Sequence, residues 1–83
     1  MQYRIILPKS VQKDLEKLDK KIRMRVIITL QELSKDPFAG KKLQGEHAGQ
    51  WSVRAWPYRV IYRINKGELV VLVIRIAHRQ GAY

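Results

Sequence analysis

Residues 51 to 78 hold three strand-length runs in close succession, and no other feature of the chain restricts the fold so strongly. "WSVRAW" (Trp51 to Trp56), "YRVIYRI" (Tyr58 to Ile64) and "ELVVLVIRIAH" (Glu68 to His78) are rich in β-branched and aromatic residues. Pro57 alone parts the first two runs, and "NKG" (Asn65-Lys66-Gly67) parts the last two. No crossover helix fits in either break, so the runs must form an antiparallel meander.

The length of the second turn decides which side chains share a face. A two-residue loop at Lys66-Gly67 puts the arginines of the middle run on the face of Val70 and Leu72, mixing charge into the most apolar row. A three-residue loop, with Gly67 in the left-handed region, pairs Tyr62 with Val70, Val60 with Leu72 and Tyr58 with Ile74. The second register is therefore expected. It gathers Tyr58, Val60, Tyr62, Ile64, Val70, Leu72, Ile74 and Ile76 on a face that helices can cover. Arg59, Arg63, Arg75 and Arg79 fall on the other face, and Arg54 joins them if Val53 joins the core.

The first half of the chain supplies the cover. "YRIIL" (Tyr3 to Leu7) reads as a short strand ending at Pro8. Ser10 stands as an N-cap for a helix with Val11, Leu15 and Leu18 along one stripe; Asp19 can cap a second, with Ile22, Val26, Leu30 and Leu33. The segment from Lys35 to Gln50, with Pro37, Gly40, Gly45 and Gly49, reads as a connection. The expected architecture is α+β: β-α-α-β-β-β, a two-helix hairpin on one face of a small, mostly antiparallel sheet. At 83 residues the chain, residues 1 to 83, is read as one domain.

Seventeen Lys and Arg against seven Asp and Glu leave a net charge of +10. Such a surface calls for a polyanion: nucleic acid, an acidic protein or an anionic membrane surface. The longest apolar stretch, "LVVLVI", is too short to cross a bilayer. The N-terminus lacks the basic leader and small-residue cleavage site of an export signal, so a cytoplasmic protein is expected. With no cysteine, thiolate catalysis and cysteine-ligated zinc are excluded. His47 and His78 have no acidic cluster beside them, and neither a metal nor another cofactor is expected.

Five arginines on one face repel each other, and the strands offer no carboxylate except Glu68, so an absent anion would restore balance. The plain alternative is a polar sheet surface whose arginine stems cover residues such as Ile61, Val71 and Val73. Guanidinium groups grip phosphate with paired donors but stay protonated, so they cannot act as general bases. The reaction that suits them is attack by a ribose 2′-hydroxyl on the adjacent phosphorus, which confines cleavage to RNA.

Three stretches, "LSKDPFAGKKLQG", "WSVRAWPYRVIYRI" and "LVVLVIRIAHRQGAY", together resemble the RelE/ParE superfamily of toxins from toxin-antitoxin systems. The resemblance spans essentially the whole chain. It implies a cognate antitoxin and one of two targets. RelE-like members are ribosome-dependent messenger-RNA endonucleases that leave a 2′,3′-cyclic phosphate; ParE-like members act on DNA gyrase. Arg54, Arg59, Arg79 and Tyr83 match the RelE-like catalytic positions, and the RelE-like branch is the one expected. One lysine of that pattern falls on Ser52. Under this resemblance Arg59 and Arg79 grip phosphate, Arg54 orients the ribose, and Tyr83 stacks on a base or carries a proton. Ser52, Trp56, Arg63 and Arg75 are the further candidates for contact with RNA, on the message or on the ribosome. A basic binding module without catalysis is the remaining alternative. Trp51 is expected to anchor the core, and His78 to pack toward the helices.

Overall fold

The computed structural model describes residues 2–78; Arg79 and Tyr83 lie outside them. β1 (Arg4–Ile6) is followed by α1 (Lys9–Glu16) and α2 (Lys20–Lys35), then by β2 (Lys41–Lys42), β3 (Trp51–Ala55), β4 (Tyr58–Asn65) and β5 (Val70–His78). The sheet order is β1-β5-β4-β3-β2. Among the described strands only the β1–β5 pair is parallel, because the helical hairpin lies between those strands in sequence and supplies the long return that parallel pairing needs.

α1 begins two residues earlier than the Ser10 cap implies. Pro8 takes the N-cap position at φ −57°, its carbonyl accepts from the Gln12 N–H at 2.9 Å, and the Gln12 side chain donates back to the Leu7 carbonyl at 2.7 Å. Asp19 does occupy the N-cap position of α2, without a side-chain hydrogen bond. Val11, Val26, Leu30 and Leu33 of the helices are buried against Ala55, Val60, Tyr62, Val71 and Val73 of the sheet. At about 1.5–3 kcal/mol for each side chain removed from water, this layer drives folding.

The β4–β5 register departs from expectation. Tyr62 pairs with Val73, Val60 with Ile76 and Tyr58 with His78, in place of Val70, Leu72 and Ile74. Two local features account for it. The Asn65 side chain closes a longer loop, donating from Nδ2 to Glu68 Oε1 at 2.8 Å and accepting the Glu68 N–H at Oδ1 at 3.1 Å. Leu69, at φ 55°, takes the left-handed position expected of Gly67. Val71 and Val73 thereby turn to the helices, while Leu72 faces away and is partly exposed. The second feature is a bulge between the Ile61 and Tyr62 positions, at which Ile74 has no partner in β4 and Arg75 pairs with Ile61. The extra residue reverses the alternation. Ile76 returns to the helix side, and Arg75 joins the arginines.

β2 was hidden in the connection. Its two lysines carry no strand signal; it forms because Gly40 allows the backbone to press against β3. A Cβ at Gly40 would stand 2.7 Å from the Ser52 carbonyl oxygen and would collide with the Tyr62 hydroxyl. That hydroxyl donates to the Pro37 carbonyl at 2.7 Å, tying the connection to the sheet.

Candidate nucleic-acid interface

Alternation from the buried rows fixes what the uncovered face presents. On β3, Trp51 and Val53 pack against the core, so Ser52 and Arg54 point the other way. On β4, Arg59, Ile61 and Arg63 do the same. Cross-strand pairs on this face are Arg54 with Arg59, Ser52 with Ile61 and with Lys41, Ile61 with Arg75, Arg63 with Leu72, and Arg4 with Val70. Ile61 lies within the arginine ring, whereas Val71 and Val73, expected to share its face, are core residues.

Arg54 and Arg59 stand directly opposite each other beside the β3–β4 turn. Like charges in such a pair destabilise the sheet, and together they offer two forks of donors to one anion. Their turn is held from both sides. Arg25 of α2 donates from Nη1 to the Trp56 carbonyl at 3.0 Å, and the Arg54 guanidinium lies 5.9 Å from the centroid of the Trp56 ring, a cation–π contact. Trp56 itself is 46% exposed and able to stack on a base.

A cleft of about 340 Å³ opens between this turn and β2. Ala39, Gly40 and Ser52 form part of its lining, and Lys41, Arg54 and Arg59 bring the charge. Ser52 is buried, and its Oγ has no hydrogen-bond partner among the described residues. It is a recessed wall group and not the surface contact expected of it. Arg63 lies farther along the face; its Nη1 would stand 3.7 Å from a Cβ at Gly49, whose φ of 88° brings that loop close. Glu68, the sole carboxylate between residues 51 and 78, is engaged by Asn65 at the distant turn. None of the described residues lining the cleft is acidic.

The structure thus brings Arg54, Arg59, Arg63 and Arg75 to one face, with Trp56 at its rim and Ser52 in the cleft; Arg79 and Tyr83 are outside the described residues. Sequence patterning missed Lys41, since a two-residue strand leaves no periodicity to detect. His78 is exposed, edge-to-face on Tyr58 with ring centroids 5.2 Å apart, rather than buried under a helix. Trp51 does anchor the core, edge-to-face with Phe38 at 5.5 Å. Among the described residues no three His, Cys, Asp or Glu side chains gather as metal ligands, and no helix is long and apolar enough to cross a membrane.

Residues 5–83 match the family model described as the ParE toxin of type II toxin-antitoxin systems. The chain belongs to the RelE/ParE superfamily. It is 34% identical to toxin RelG of Mycobacterium tuberculosis across 100% of this chain and 98% of that protein. Two solved complexes contain chains of the same shape. One is RelBE2 of M. tuberculosis, with 33% identity, TM-score 0.86 and coverage of 95% of this chain and 100% of the other. The second is the archaeal RelE-RelB complex of Pyrococcus horikoshii, with 29% identity, TM-score 0.83 and coverage of 95% and 97%. This is a RelE-family toxin of a type II toxin-antitoxin system. In such a toxin the cationic cleft of β2, β3 and β4 is the candidate working site.

Proposed function

We propose that this RelE-family toxin cuts messenger RNA held on the ribosome and so stops translation. The 2′-oxygen attacks the adjacent phosphorus, the bond to the 5′-oxygen breaks, and the products are a 2′,3′-cyclic phosphate and a 5′-hydroxyl. The observation that carries the proposal is the Arg54–Arg59 pair across β3 and β4 at the mouth of a cleft whose described lining holds no carboxylate. Charge that builds on the non-bridging phosphate oxygens in the transition state meets guanidinium donors there. Arg59, with Arg79, stabilises that charge; Arg54 orients the ribose; Tyr83 stacks or carries a proton. Trp56, Arg63 and Arg75 extend the surface along the RNA, and Ser52 lies beneath the phosphate.

The proposal places the toxin in the cytoplasm as a single domain, under the control of a cognate antitoxin, as the RelBE2 and RelE-RelB complexes suggest. A gyrase-directed action is the second reading, favoured by the ParE description of the matching family model. A cell-free translation reaction separates the two. Cuts in a defined message that need ribosomes support the nuclease; intact message with gyrase-dependent DNA breaks supports the alternative.

A further inference from the structure

An RNA transesterification has two proton problems, and the arginines solve neither. The 2′-hydroxyl must lose a proton, and the departing 5′-oxygen, a poor leaving group as an alkoxide, must gain one. Arg54 and Arg59 remain protonated throughout. Ser52 has only a weakly acidic hydroxyl. Among the described residues lining the cleft, Lys41 alone carries an acid that can give up a proton and take it back.

Its position suits the task. Lys41 is the register partner of Ser52 across β2 and β3, so the two share a face with their Cβ atoms about 5 Å apart. Arg54 follows two residues along the same face, about 7 Å from Ser52. Lys41, Arg54 and Arg59 therefore line one cleft with the recessed Ser52. A phosphodiester seated over Ser52 lies within reach of all three. The lysine ammonium has three donor hydrogens and no acceptor, so its part in the step is to give a proton.

We infer that Lys41 is the catalytic residue that protonates the leaving 5′-oxygen, an assignment that rests on the nuclease reading above. As the 2′-oxygen bonds to phosphorus and the phosphorus–5′-oxygen bond breaks, the electron pair of that bond goes to the 5′-oxygen with the Lys41 proton. The 2′-hydroxyl proton passes to solvent water, and water returns a proton to the amine.

The test compares Lys41→Arg and Lys41→Met on a ribosome-bound message whose scissile 5′-oxygen is either natural or replaced by sulfur. Lys41 is exposed, so both variants should fold. Sulfur departs as a thiolate and needs no proton. Expected is a loss of about a hundredfold or more for both variants on the natural message, with Lys41→Arg restored to within severalfold of wild type on the sulfur-substituted one. An unimpaired Lys41→Arg, or a defect that sulfur does not relieve, overturns the assignment and leaves the nuclease intact. A wild-type toxin that cuts neither message removes the nuclease reading and this assignment with it.

Discussion

On the helix-covered side of the sheet, Val60, Tyr62, Val71 and Val73 are fully buried; on the other side, Arg54 and Arg63 stand in solvent. The same strands make both faces. The covered face fixes the register because each residue placed there gains by leaving water, while the arginine face receives whatever alternation leaves over. Stability should therefore belong to one face and chemistry to the other, and substitutions can break or sharpen that division.

The largest effect is expected on the covered side. Leu33, 1% exposed, is held between α2 and the sheet. Leu33→Ala should lower unfolding free energy by about 2–5 kcal/mol, a large share of what a small domain has. Urea unfolding followed by circular dichroism measures it. A loss under about 1 kcal/mol would show that the site collapses around the cavity.

Next comes Arg59→Ala, expected to cut cleavage by about a hundredfold, or about 2.7 kcal/mol of transition-state stabilisation. Its unfolding free energy should move by no more than about 0.5 kcal/mol. A variant that unfolds while losing activity would erase the contrast between the faces.

How far the sequence disclosed this division differs between its parts. The helix stripes, the meander and the residues Tyr58, Val60, Tyr62 and Ile64 follow from periodicity, which reports burial directly. The β5 partners do not. Val70 through Ile74 are apolar on both sides, so β5 itself does not mark which of its rows faces the helices; the two Asn65 side-chain hydrogen bonds and the unpaired Ile74 set the register. Arg75 lies among the arginines as expected because the longer loop moves β5 by three residues and the bulge by one more, and a total shift of four leaves its face unchanged. Lys41 and its cleft depend on Gly40 approaching β3, a contact between segments that no local pattern records.

Tyr62 links the faces to pH. Burial, the main cause, and the negative charge of Asp36 push its phenol up from 10.0 to about 12, against the opposing effect of a backbone hydrogen bond from Gly40. The unfolded chain ionises near 10 and the folded one near 12, so this contribution is intact below pH about 10 and is lost as pH rises to about 12. The two-unit gap sets the full loss at roughly 3 kcal/mol. Tyr62→Phe should flatten the decline between those pH values in urea-unfolding measurements, and an unchanged slope would assign it to other groups.

The smallest effect, and the finest test of the division, belongs to the β4–β5 turn. Asn65→Ala removes both side-chain hydrogen bonds to Glu68 and leaves Leu69 to hold φ 55° unaided. Because the site is exposed, the loss should be about 1 kcal/mol. Amide exchange should quicken for residues 62–65 and 70–73, which the turn aligns directly. The bulge at Ile74 separates those pairs from Arg59 with Ala77 and Ile61 with Arg75. Beyond it, register is held by Val60 against the helices, not by the turn. Cleavage should therefore stay within about twofold of wild type even as the turn loosens. If Asn65→Ala reduced cleavage as much as Arg59→Ala, the arginines would owe their placement to the turn, and the covered face would lose its role in setting them.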